Sequence, residues 1–284
     1  MPYGDKHIAL ICNPTTENEK ALGIANDISL LLTGMDIRHS LFTSYWPQVW
    51  EDITDAWIIG GDGTTNWFIN QYPDIQLPLS IFAGGTGNDF HWMLYRNISI
   101  KKQVEQVLKG EASAVDAGIC NGKLFLNGVG IGFDGAIVKD LLGKKKLAGK
   151  ASYLLSILKN IAGYHEKLCN LQMPGETISQ ECFLISVANA QRYGGGFRVT
   201  PKASVTDGLL DVNIVGRISS LKRIRYLPVI EKGKHLHLPF VQYRHVQKIE
   251  ISSAVPLHAH IDGEYLSEHN FDISILPKRF SFIY

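Results

Sequence analysis

Two short apolar runs in the first third of the chain each break into glycines and then resume at helical spacing. Few folds accommodate that pattern twice. In AWIIGGDGTTNWFIN, residues 56–59 read as a buried strand and Gly60, Gly61 and Gly63 as a loop around Asp62. Thr64 and the apolar Trp67, Phe68 and Ile69 then open a helix. In LSIFAGGTGNDF, the strand 79–82 runs into Gly84 and Gly85, followed by Thr86, Asn88 and Asp89. A strand passing through a glycine loop into a helix is the repeating unit of a parallel α/β sheet. The preceding residues fit the same grammar. Residues 7–12 form a strand stopped at Asn13-Pro14, 17–32 a helix ending at Gly34, and 37–43 a second strand.

Beyond residues 113–121 the periodicity changes. Period-two runs dominate at 123–126, 181–189, 209–215, 246–251, 257–261 and 271–276, interrupted by helical patterns at 150–162 and 219–233. Many short strands separated by turn signals predict an antiparallel β-rich sandwich. The expected organisation is an α/β N-terminal nucleotide-binding domain over 1–117 and a β-rich antiparallel sandwich over 118–284. The last strand is able to pack back on the first domain. No linker separates the two, so the domains are expected to pack closely, with the active site in the interdomain cleft.

Charge and cysteine usage narrow the partners. A net charge of +1 over 284 residues gives no global attraction to nucleic acid. Four scattered cysteines without a C-x-x-C pair suit buried thiols in a reducing compartment. The N-terminal apolar run is too short for a signal peptide, and no run approaches the roughly 20 residues that span a bilayer. A cytoplasmic protein able to visit a membrane surface is the expectation. HLH (235–237) and HAH (258–260) each put two imidazoles on one strand face, but no third ligand accompanies either, so zinc is disfavoured. The basic stretch LGKKKLAGK, with lysines at 144–146, is either a solvated face or a contact for anionic headgroups.

The two glycine loops carry the chemistry. A glycine loop between a strand's carboxyl end and a helix offers backbone N–H groups to an anion without side-chain obstruction. Thr64 is placed to cap the following helix and meet a phosphate oxygen. Asp62 reads either as a helix cap or as a carboxylate managing a metal or a proton. Neighbouring parallel strands would bring both loops to the sheet edge where open α/β sheets bind ligands. Neither loop spells G-x-x-x-x-G-K-[ST] or G-x-G-x-x-G. Farther on, RYGGGFRVTPKA has three successive glycines, read as a bulge or as room for a substrate. In SVTDGLLD, Asp207 is a turn residue or, with nearby carbonyls, part of a hard-oxygen cation site. In HIDGEYL, Asp262-Gly263 makes a hairpin turn that presents Glu264.

GGDGTTNWFIN and GGTGNDF resemble the nucleotide loops of the diacylglycerol kinase catalytic family, which includes bacterial lipid kinases and the sphingosine and ceramide kinases. GGDGT alone also resembles NAD kinases and phosphofructokinases; GTGNDF is more particular to lipid kinases. The similarity continues in order through FLNGVGIGFDGAIV, GKASYL, ANAQRYGGGFRVTPKASVTDGLLDV and IDGE. It implies an ATP- and magnesium-dependent lipid kinase that meets its substrate at a membrane surface by peripheral, reversible contact; a homodimer is compatible with it. It implies nucleotide contacts from Asn13, Thr15, Thr43, Gly60, Gly61, Asp62, Gly63, Thr64, Gly85, Thr86, Asn88 and Asp89. It further implies a magnesium site of Ser204, Asp207 and Leu209, with Glu264 receiving the substrate's proton. Some relatives assign that proton to the GGDG aspartate, so Asp62 stays open for the role. The chain departs from the family pattern after NDF, where His91-Trp92 replaces Ala-Arg.

Overall fold

The computed structural model describes residues 5–13, 19–143 and 151–284. They divide into two units, Met1–Val115 with Lys278–Tyr284, and Asp116–Pro277. In chain order the first unit begins with β1 (His7–Cys12), α1 (Glu19–Gly34), β2 (Arg38–Phe42), β3 (Asp55–Gly60) and α2 (Asp62–Gln71). It continues with β4 (Leu79–Ala83), α3 (Asp89–Tyr95) and α4 (Ile100–Lys109). The four strands are parallel in the order β2-β1-β3-β4.

Strands β1, β3 and β4 are almost wholly apolar and buried, as expected where helices cover both faces of a parallel sheet. The more polar β2, RHSLF, is the exposed edge. The register sets the carboxyl ends level: Ile11 lies opposite Phe42, Cys12 opposite Ile59 and Gly60 opposite Ala83. The chain's last residues return to this sheet. Phe282 pairs in parallel with Leu79, and the Ser80 and Tyr95 hydroxyls donate to the Ile283 carbonyl.

The second unit follows β5 (Ala112–Cys120), which begins in the first. It contains β6 (Lys123–Phe125), β7 (Gly128–Gly132), α5 (Phe133–Leu141), α6 (Ala151–Asn160), β8 (Lys167–Met173), β9 (Glu176–Ala188) and β10 (Leu210–Gly216). Then come α7 (Ser220–Glu231), β11 (Val241–Val246), β12 (Lys248–Ile261) and β13 (Glu264–Ile283), whose final residues belong to the first unit. The pairings β11-β10-β9-β7-β12-β13 are all antiparallel.

Two apolar clusters form on opposite faces of these strands. Ile185, Val187, Val212 and Ile214 enter one; Leu184 and Val215 enter the other, which helices α5, α6 and α7 cover. This explains why β9 alternates in its first half and becomes continuously apolar in its second.

Two expectations change here. Residues 246–251 and 257–261 are not separate strands: β12 runs through both, with its pairing to β13 broken between Ser252 and Leu257. Pro256 lies in that break and has no N–H to give a ladder. HLH at 235–237 sits in a turn after α7 rather than on a strand. The lysines at 144–146 lie outside the described residues, as does the predicted helix start at 17–18. No described helix is long and apolar enough to cross a membrane.

His235 and His260 are both buried in the second unit, and burial holds each imidazole down at about 4 against an ordinary 6.5. Their neutral forms therefore stabilise the fold fully above pH 6.5. That contribution falls as the unfolded chain takes up protons first, and it is gone below about pH 4. Each histidine contributes about 3 kcal/mol across that window. In chemical denaturation between pH 7 and 4, His260→Gln should show a stability slope shallower by about 1.4 kcal/mol per pH unit than the parent. Equal slopes would mean that His260 is already protonated in the folded chain.

Candidate active site

In the first unit the predicted loops meet as backbone against backbone. Gly84 N–H donates to Gly60 C=O at 2.8 Å. A Cβ on Gly85 would stand 2.4 Å from the Gly61 Cα, so a side chain there would force the two loops apart. Asn88 takes a left-handed conformation (φ 54°) and locks its own loop, accepting from Gly85 N–H at 2.9 Å and donating to Gly85 C=O at 2.8 Å.

Asp62 joins one loop to the other. Its two carboxylate oxygens accept the N–H groups of Asp89 and Phe90, each at 3.0 Å. It therefore caps helix α3 from outside, although it is the first residue of α2. Both readings of GGDG share this arrangement: the aspartate is a cap, but for the neighbouring helix, and it stands between the two loops. A Cβ on Gly87 would come within 2.9 Å of the Asp62 carboxylate.

Helix α2 has no side-chain cap; its N-cap is Gly61 in extended conformation. The first turn of α2 thus begins directly after the carboxyl end of β3, a position that suits a phosphate. Thr64 is not the cap. It lies inside α2, buried, with its side chain against the Gly60 Cα. Gly63 and Thr86 are exposed and Asp89 is buried at the start of α3. Asn13 directly follows β1 and Thr43 directly follows β2, so both stand at the same carboxyl edge as the loops. The Trp46 indole donates to the Cys12 carbonyl just before Asn13 and stacks 4.5 Å from Trp67 of α2, tying β1 to that helix. Thr15 lies outside the described residues. His91, where the family pattern has alanine, is buried and bonded at 3.1 Å to Gln103, so it serves the core.

The second unit holds the remaining predicted residues on one hydrogen-bonded frame. Asp262 and Gly263 both have positive φ (47° and 90°) and form the two-residue hairpin between Ile261 and Glu264. The Asp262 carboxylate accepts the N–H groups of Leu126, Asn127 and Gly128 at 2.8–3.0 Å, which fixes the hairpin. Glu264 follows it, exposed, and its side chain makes no hydrogen bond or ion pair among the described residues.

The frame extends from there through backbone and amides. Asn127 C=O accepts from Asn189 and Ala190, and the Asn189 amide donates to the carbonyls of Leu126 and Asp116. Asp116 receives Gly208 N–H at 2.7 Å and donates its own N–H to Val205. It thereby pins both sides of the turn carrying Ser204, Asp207 and Leu209. Asp207 is exposed and accepts Leu209 N–H at 3.1 Å. One carboxylate with neighbouring backbone carbonyls is a hard-oxygen donor set that fits magnesium and not zinc. Among the described residues no three His, Cys, Asp or Glu side chains gather as a metal cluster.

Sequence reasoning missed Asp116, Asn127, Asn189 and the anchoring role of Asp262. It also missed a buried polar group in the second unit, where Tyr193 OH donates to Asp134 at 2.7 Å and lies 2.6 Å from Ser186 Oγ. With Arg223, Asp134 and Tyr193 line a cavity of about 40 Å³ under α6 and α7 that is apolar elsewhere. The triple glycine explains how Tyr193 gets there: Gly194, Gly195 and Gly196 all have positive φ and return the chain so that Tyr193 bridges Phe197. A tyrosine immediately before three glycines was the only sequence signal for this group.

Comparison with known proteins agrees with this arrangement over both units. Residues 7–120 match the family model described as diacylglycerol kinase catalytic domain, and 127–284 match the YegS C-terminal NAD kinase beta sandwich-like domain. The diacylglycerol kinase of Bacillus subtilis (strain 168) is 26% identical over 210 residues, covering 72% of this chain and 69% of its own. A Staphylococcus aureus (strain JH9) protein, provisionally named a lipid kinase, is 30% identical over 241 residues, covering 80% and 76%. The crystal structure of a provisionally assigned diacylglycerol kinase from Bacillus anthracis str. Sterne shares the fold, with a TM-score of 0.77 at 23% identity over 99% of this chain and 97% of that one. With both domain models matched in order and a 30% identical relative spanning most of its length, this chain belongs to the diacylglycerol kinase catalytic family of lipid kinases.

Proposed function

We propose that this protein transfers the γ-phosphoryl group of ATP to a hydroxyl of a lipid such as diacylglycerol. The observation that carries the proposal is the meeting of the Gly60–Gly61 and Gly84–Gly85 loops at the carboxyl edge of β3 and β4, beside the uncapped N-terminus of α2. Backbone N–H groups there are fixed before any ligand arrives, and phosphoryl transfer depends chiefly on such positioning and electrostatics. Asn13, Thr43, Gly63, Thr86 and Asn88 surround that edge as nucleotide contacts. The lipid acceptor rests on the relatives, which are named as diacylglycerol and lipid kinases.

The two acids divide the work according to their surroundings. Asp62 already holds two N–H groups of α3, so its role is to keep the loops in place beside the phosphates. Glu264 is exposed on a pinned hairpin without a competing partner, so it is the group to receive the acceptor hydroxyl's proton. Ser204, Asp207 and Leu209 would hold magnesium, whose charge offsets that of the phosphates when bound. Contact with the membrane that supplies the lipid is peripheral and reversible.

The test is incubation with labelled ATP, magnesium and a panel of lipids in mixed micelles, with NAD as a soluble control. Labelled lipid is expected; label in NAD alone would replace the lipid reading with a nucleotide kinase. Within that assay, Glu264→Gln should lower turnover by about 100- to 10,000-fold while nucleotide binding holds. Asp62→Asn, which keeps one acceptor oxygen and loses the other, should instead weaken nucleotide binding and lower stability by about 1.5–3 kcal/mol. A normal rate in Glu264→Gln would pass proton acceptance to Asp62. Asp207→Ala should raise the magnesium concentration needed for half-maximal rate, and an unchanged magnesium curve would reduce that turn to a structural one.

A further inference from the structure

We infer that the outer face of helices α6 and α7 is the surface that docks on an anionic bilayer. This deepens the lipid-kinase reading and rests on it for the biological reason, though not for the physical observation. A helix that covers a core is expected to turn polar side chains outward. Here α6 places Ile157 in the cluster beneath it, with Ile161 just past its end, but exposes Leu154, Leu155 and Leu158, at 41%, 57% and 49%. Helix α7 packs Leu227 and Ile230 on the same cluster and exposes Leu221 and Ile224, at 82% and 48%. Residues 221 and 224 are three apart, and 154, 155 and 158 fall within one turn, so each set forms a stripe on one face of its helix.

The two stripes belong together. Both helices cover one cluster on one side of the strands, and their ends are tied. Arg223 donates to the carbonyls of Ile161 and Tyr164, both at 2.7 Å, and Ser220 donates to Ala162. Arg223 is itself held by the buried Glu166 at 2.7 Å, so the junction is rigid.

The charges interleaved with the leucines decide the occupant. Helix α6 carries no acid, and α7 carries one, Glu231 at its last position. Lys222 and Arg225 are exposed beside Leu221 and Ile224 and form no ion pair among the described residues. Lys159 of α6 is already matched by Asp140. Exposed leucines flanked by unneutralised cations and lacking acids fit the interface of a bilayer containing anionic lipids, where the apolar side chains enter the acyl boundary and the cations meet phosphates.

Co-sedimentation of the full chain with sucrose-loaded vesicles tests this without any reaction. The vesicles are phosphatidylcholine alone, and phosphatidylcholine with one-third phosphatidylglycerol. The parent should bind the anionic vesicles, less so as salt rises. Leu221→Glu with Ile224→Glu should weaken that binding by about tenfold or more, since it removes apolar area and adds repulsion. Lys222→Glu with Arg225→Glu should remove the preference for phosphatidylglycerol. Both pairs should melt like the parent and phosphorylate a monomeric, water-dispersed short-chain diacylglycerol at the parent's rate. If the parent ignores anionic vesicles, or the Leu221/Ile224 pair binds them as the parent does, the docking face is overturned. It is equally overturned if that pair turns a dimer into a monomer by light scattering while vesicle binding is kept, since the face would then join two copies. If the vesicle pattern holds while no lipid is phosphorylated, the docking face stands and the kinase reading fails by itself.

Discussion

The near-contact of Gly61 with Gly85 is the constraint on which the carboxyl edge of the parallel sheet depends. Strands β3 and β4 are neighbours, so the loops leaving them must either diverge or pass within backbone distance. Glycine at both positions permits the close passage, and the Gly84 to Gly60 hydrogen bond holds it. Asp62 then becomes useful because of where that passage puts it. From the first turn of α2 it reaches the first N–H groups of α3 and satisfies donors that would otherwise lack partners. Each such bond to a charged acceptor is worth about 1.5–3 kcal/mol, so the loops are set before a ligand binds.

The second unit solves a similar problem with buried amides. Glu264 stands in solvent beside a hairpin that is fixed from below. Three N–H groups of the Leu126–Gly128 stretch bind Asp262, and Asn127, Asn189 and Asp116 carry the frame onward to the Asp207 turn. The hairpin and the turn are 55 positions apart in the chain, as the numbers 207 and 262 show, yet they share one set of hydrogen bonds. A loop residue anchored in this way keeps its backbone still while its carboxylate stays free to take a proton, which is what positioned acid–base chemistry requires.

The same unit has two apolar clusters on opposite faces of the strands, and helices α6 and α7 over one of them expose further apolar side chains. The small cavity of about 40 Å³ under those helices has Asp134, Tyr193 and Arg223 as its polar lining.

Much of this was legible in the residues themselves. Strands β1, β3 and β4 announce themselves as short apolar runs because they are covered on both faces, and the glycine loops announce their positions because no other residue allows the backbones to approach. The Asp262-Gly263 hairpin was equally plain, since both residues tolerate positive φ. The β12 break was misread because Pro256 interrupts the ladder without ending the strand. Strands β5, β7, β8 and β11 and helices α4 and α5 went unread: β8, for example, carries Asn170 and Gln172 outward between buried residues, and its partners β9 and β12 are remote in sequence. The sequence by itself determined which backbones can turn, approach or bury. Only the tertiary structure decided that Asp62 caps α3 rather than its own helix, that Thr64 is packing rather than cap, and that Asp116 and Asn189 support the Asp207 turn. Those roles are hydrogen bonds between segments far apart in the chain, and no local pattern of residue types encodes which distant N–H a carboxylate will meet.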